Sequence, residues 1–81
     1  MSDLKVLKHG IFDNGKIIWI RIEHSDMEWL DMFRNEVSTN QYKYSLEDNN
    51  QQDINITDIV SEEIKQIFST VYHEQYQLKN L

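Results

Sequence analysis

Asn14-Gly15, set between two stretches rich in Ile, Leu, Phe and Trp, narrows the folding options of this chain more than any other dipeptide in it. Both residues tolerate the positive φ of a type I′ turn, so the pair predicts an antiparallel hairpin. The register follows by counting outward: Phe12 opposite Ile17, Ile11 opposite Ile18, Gly10 opposite Trp19, His9 opposite Ile20 and Leu7 opposite Ile22. One face then carries Leu7, Ile11, Ile18, Ile20 and Ile22 and is the expected core side. The other combines Phe12, Ile17 and Trp19 with Lys8 and Arg21, and Trp19 is placed to cover the bare backbone of Gly10. That second face has two expected fates, cover by a helix or service as an aromatic docking surface.

Ser25-Asp26-Met27-Glu28 fits a capping box, with the Ser hydroxyl accepting from the third helical amide and Glu28 reaching back. A short helix is expected from there, with an apolar stripe of Met27, Leu30, Phe33 and Val37 widened by Trp29 and Met32. Asp26, Glu28 and Asp31 suit the positive end of its dipole, which makes them structural rather than catalytic. Residues 41–46 read as a third strand with Tyr42, Tyr44 and Leu46 on one face, followed by a polar loop over 47–53. Ile56, Ile59, Val60, Ile64, Ile67, Phe68, Val71 and Tyr72 then recur at helical spacing. For this long C-terminal helix Asn55 is the expected cap, Asp58 its partner, and Ile54 with Ile59 a hydrophobic staple. The expected class is α+β: an N-terminal antiparallel β-hairpin, one short helix, a third strand and a long C-terminal helix.

At 81 residues the chain has room for one core, so 1–81 is expected to be a single small domain, and association would add stability to it. Its net charge is -6 and its sequence pI about 4.8, which leaves little for neutralising phosphates; no direct nucleic-acid binding is expected. The acidity is local. Residues 1–22 carry Lys5, Lys8, Lys16 and Arg21 against Asp3 and Asp13, whereas Glu47, Asp48, Asp53, Asp58, Glu62 and Glu63 lie between Lys43 and Lys65 with no basic residue among them. A surface built from that run attracts basic counterparts and repels polyanions.

Chemistry leaves no comparable mark. With no Cys there is no disulfide, thiolate metal centre or thiol nucleophile. His9, His24 and His73 lack metal-ligand spacing, Glu62-Glu63 and His73-Glu74 come without an H-E-x-x-H pattern, and neither Ser25 nor Ser61 sits in a nucleophile elbow. No enzyme, no metal and no cofactor are expected. The start lacks the apolar segment of a secretory signal and no stretch of ~20 apolar residues spans a membrane, so a cytoplasmic location without membrane contact is the expectation.

These features point to an acidic protein-binding inhibitor that covers a basic surface of a partner protein. A nucleic-acid-binding surface masked by a phage or mobile-element protein acting as a nucleic-acid mimic is the concrete version. Glu47, Asp48, Asp53, Asp58, Glu62 and Glu63 are the expected partner-binding acids, with Trp19, Tyr42 and Tyr44 as apolar contacts. The alternative is a homo-oligomeric structural or regulatory adaptor, a homodimer in its simplest form, built on the Phe12-Ile17-Trp19 face or the exposed side of the C-terminal helix.

Overall fold

The computed structural model describes residues 5–25, 28–47 and 52–78, with the backbone alone described for His24, Ser25 and Glu28. Five strands form one antiparallel sheet in sequential order: β1 (Val6–Phe12), β2 (Ile17–Ser25), β3 (Glu28–Ser38), β4 (Gln41–Glu47) and β5 (Asp53–Asn55). One helix, α1 (Glu62–Tyr72), follows and continues into a wider π-helical turn over His73–Gln77. The α+β class, the N-terminal hairpin, the strand after residue 40 and the C-terminal helix are as expected.

Asn14 (φ 55°, ψ 37°) and Gly15 (φ 88°) have the left-handed geometry of a type I′ turn, which the Lys16 amide closes on the Asp13 carbonyl at 3.1 Å. Four pairs of the β1–β2 register stand as predicted, from Phe12 with Ile17 to His9 with Ile20. The fifth does not: an irregularity between Val6 and Lys8 puts Val6 opposite Ile22, and Leu7 is left 40% exposed. A bulge shifts the period by one residue, so Val6 takes the inward place expected of Leu7.

Residues 28–38 are a strand where a helix was expected. Leu30, Met32 and Arg34 face Ile22, Ile20 and Ile18 of β2, while Trp29, Asp31, Phe33 and Asn35 share the opposite side. The stretch satisfies both periods, and the tertiary partner decides between them. The three isoleucines of β2 are 0%, 0% and 1% exposed, a burial that a strand flanked on both sides achieves and an edge strand does not. Ser25 pairs with Glu28 across β2 and β3, so the expected capping box is the mouth of a hairpin; Asp26 and Met27 lie outside the described residues.

α1 starts at Glu62, seven residues later than its proposed cap Asn55. The Asn55 side chain is already engaged, with Oδ1 accepting from the Thr57 amide at 2.9 Å and from the Thr57 hydroxyl at 2.7 Å. Thr57 Oγ1 in turn accepts from the Tyr44 amide, and the Ile56 amide donates to the Tyr44 carbonyl, which ties this turn to β4. Ser61 caps the helix instead, its hydroxyl accepting from the Ile64 amide at 3.2 Å. The Ile54–Ile59 staple is not formed; both side chains are exposed, Ile59 by 79%.

α1 lays Ile64, Phe68 and Val71 over Ile18, Ile20, Ile22, Tyr44 and Ile56, and these eight residues make the buried core. Phe68 is fully buried and meets the Tyr44 ring at a tilt of 56° with centroids 5.6 Å apart. Among the described residues no helix is long and apolar enough to cross a membrane.

Candidate functional site

The helix covers one face of the sheet, and the other face is where the exposed aromatic surface collects. Register sets its layout in rows across the strands. One row runs Gly10, Trp19, Phe33, Ser45 and Asn55; a second runs Lys8, Arg21, Asp31, Glu47 and Asp53; Phe12 and Ile17 begin a third, and Trp29 stands opposite Glu23. Phe12 is 53% and Trp29 49% exposed, with Trp19, Phe33 and Ile17 partly covered. Half-exposed aromatic rings on contiguous strands are a costly surface to leave in water.

Arg21 organises the patch. Its Nε donates to Asp31 Oδ1 at 2.8 Å and its Nη2 to Oδ2 at 3.2 Å, a side-on fork that fixes the plane of the guanidinium. Its charge centre sits 4.9 Å from the Trp29 ring centroid and 5.3 Å from that of Trp19. The hydrogen bond to Asp31 raises the Arg21 pKa above its ordinary value; partial burial opposes this, and the negative charges of Asp31 and Glu47 add to it. Arg21 is therefore a fixed cation in contact with two indoles. Gly10 completes the arrangement, because a Cβ there would lie 2.9 Å from Phe12 Cζ and 3.2 Å from Trp19 Cε3. The expected cover of Gly10 by Trp19 is present, and Phe12 shares it.

The charges in the second row are sorted, while Glu23 on β2 and Lys43 on β4 share the face outside that row. Lys8 and Arg21 occupy β1 and β2, while Asp31, Glu47 and Asp53 occupy β3, β4 and β5 in the same row. Like charges directly opposite across strands repel, and among the described residues Glu47 and Asp53 have no ion-pair partner.

The expected acidic surface is thus divided. Glu47 and Asp53 stand together on the open face. Asp58 is exposed in the turn before α1; Glu62 is on the first turn of the helix with Lys65 Nζ at 3.4 Å, and Glu63 lines a groove of about 480 Å³ between α1 and β1 together with Val6, His9 and Ile67. Asp48 lies outside the described residues. Trp19 is on the open face as expected. Tyr44 is a core residue at 7% exposure, and Tyr42 is on the helix-covered side beneath Arg34, so neither belongs to this surface. Sequence reasoning missed Trp29, Phe33 and Asp31 as members because it placed all three on a helix. Arg21 and Asp31 are not at mirrored positions about Ser25–Glu28, because the register shifts between Glu23 and Ser25, so counting outward from that pair does not reveal their match.

Two of the residues considered for chemistry have structural roles. Ser61 caps α1, and His73 Nδ1 lies 2.9 Å from Gln77 Oε1 along the helical end. Among the described residues no group of three or more His, Asp or Glu side chains gathers to hold a metal. No protein-family model, curated protein or solved structure matches this chain.

Proposed function

We propose that the open face of the sheet is a protein-binding surface that docks onto a basic patch of a partner in the cytoplasm, without catalysis. Trp19, Phe33 and Trp29 form its centre, and Glu47 and Asp53 its acidic margin. The observation that carries this reading is the asymmetry of the sheet: one face is roofed by α1, and the other gathers half-exposed aromatics around the Arg21–Asp31 fork. Aromatic anchors that become desolvated contribute on the order of 2 kcal/mol or more each, whereas exposed acids contribute about 0–1 kcal/mol and chiefly speed encounter. Masking a nucleic-acid-binding site is the inhibitory form of this activity, since such sites are the common basic patches of proteins.

The test is capture by the wild-type chain and by Trp29→Ala, followed by reconstitution with the purified partner. Trp29→Ala should speed dissociation at least tenfold, and Glu47→Lys with Asp53→Lys should slow association and flatten its salt dependence. A partner that binds all of these folded variants like the wild type would remove the open face from the mechanism.

The sorted charge row favours a second reading, a homodimer. A two-fold axis parallel to the strands, between two stacked open faces, sets Lys8 and Arg21 of one copy over Asp53 and Glu47 of the other. Lys8→Glu separates the two: it weakens a homodimer and strengthens attachment to a basic partner. Mass measured across concentration reads the first effect, and reconstituted binding reads the second.

A further inference from the structure

On the helix-covered side of β3, Arg34 is 5% exposed, and its Nε has no hydrogen-bond partner. Among the described residues no carboxylate lies within ion-pair distance of it. A guanidinium stays charged at any accessible pH, so burial cannot be relieved by losing the proton. Tyr42 and Tyr72 compensate in part, with ring centroids 4.1 Å and 5.7 Å from the charge centre. A ring face satisfies charge but leaves the Nε–H without an acceptor, and an orphaned donor next to a buried cation is an arrangement folding alone selects against.

Arg34 lines a polar cleft of about 250 Å³ together with Gly15, Glu36, Asn40, Tyr42, Tyr72 and Gln77. Three separate parts of the chain meet there: the first hairpin turn, the β3–β4 hairpin and the end of the helix. Gly15 is needed for the approach, because a Cβ on it would lie 3.0 Å from Tyr72 and 3.2 Å from Tyr76, whose rings stack at 5.3 Å. We propose that this cleft binds a single carboxylate group, held by Arg34 between the two tyrosines.

The molecule contains the filled version of such a site on its other face, where Arg21 grips Asp31 through Nε and Nη2. A carboxylate seated in the cleft and accepting from the Arg34 guanidinium gives the buried cation its counter-charge. Asn40 and Gln77 add amide groups to the wall. Among the described lining residues Arg34 is the only cationic side chain and Glu36 adds a negative charge, so the cleft suits a monoanion and disfavours sulfate or a phosphate dianion. A small free acid and the end of a peptide both present this carboxylate, and the chemistry of capture is the same.

Arginine Nε–Hε resonances and the Gly15 amide should be followed by NMR during titration with acetate, with N-acetyl-glycyl-glycine, with the C-terminal amide of that peptide, and with sodium sulfate. Each series is run at matched ionic strength in chloride. Acetate should move the Arg34 Hε and Gly15 signals saturably, with a Kd on the order of millimolar. A response to the free-acid peptide as well identifies a chain terminus as an acceptable source, and a response to acetate alone restricts the site to small acids. Arg34→Lys, which keeps the charge and loses the fork, should bind about tenfold more weakly with its other amides unmoved. Glu36→Gln should admit sulfate. The proposal is overturned if acetate gives no saturable shift beyond chloride, if Arg34→Lys responds like the wild type, or if the amidated peptide is as effective as the acid.

Discussion

The two faces of this sheet are made from the same strands, and they differ in the side chains those strands present. Beneath α1, β2 offers Ile18, Ile20 and Ile22, aliphatic, close-packed and almost wholly removed from water. The opposite face of the same strand offers Ile17, Trp19 and Arg21, with Phe33, Asp31 and Trp29 beside them on β3. A roofed face can be purely aliphatic because its contacts are permanent. A face proposed to alternate between water and another surface needs rings that remain soluble when bare, and polar groups that fix their orientation.

Several substitutions break or sharpen this contrast. Phe68→Ala removes the fully buried ring that closes the roof, and a loss of about 3–5 kcal/mol is expected, enough to unfold most of a domain this small. Chemical denaturation followed by far-UV circular dichroism reads it. Gly15→Ala comes next, because φ 88° strains any L side chain and the methyl meets Tyr72; about 1–3 kcal/mol should be lost, read by the same denaturation. Ser61→Ala removes the cap of α1 at a cost of about 1 kcal/mol, and an Asn at this position should restore most of it, as thermal unfolding will report. The smallest effect on folding belongs to the open face. Trp29→Ala should change stability by less than about 1 kcal/mol while shifting the fluorescence of Trp19, since its ring is half in water already. A destabilisation comparable to that of Phe68→Ala would erase the distinction between the faces.

The first hairpin was readable because its turn residues admit one geometry and its register follows from them. The core half of α1 was equally readable, since Ile64, Phe68 and Val71 recur at helical spacing with nothing to compete. β3 was not, because Leu30, Met32, Phe33 and Val37 satisfy a helical stripe while Leu30, Met32 and Arg34 alternate as a strand must. Choosing between the two requires knowing that β2 wants neighbours on both sides, which is tertiary information. The helix start failed for a related reason: Asn55 and Ser61 are both competent caps, and the bonds from Thr57 to Asn55 and Tyr44 select the later one. Of the proposed binding surface, Trp19 and its cover of Gly10 were legible, and Glu47 with Asp53 were recognised as acids without the pairing that unites them. Tyr44 looked exposed only because the strand was judged without its roof. Arg34 gave no signal at all, since an arginine inside an apolar alternation reads as the end of the pattern.

The sequential strand order has a consequence for how the chain is made. Every strand pairs with the one synthesised just before it, so the sheet can assemble stepwise through short loop closures as the ribosome releases it. The roof arrives last. At roughly 5–20 residues per second, the isoleucines of β2 wait several seconds for Phe68 to emerge, and during that interval both sides of the nascent ribbon are greasy. Chaperone dependence, if this protein has any, is set in that window and ends when α1 docks.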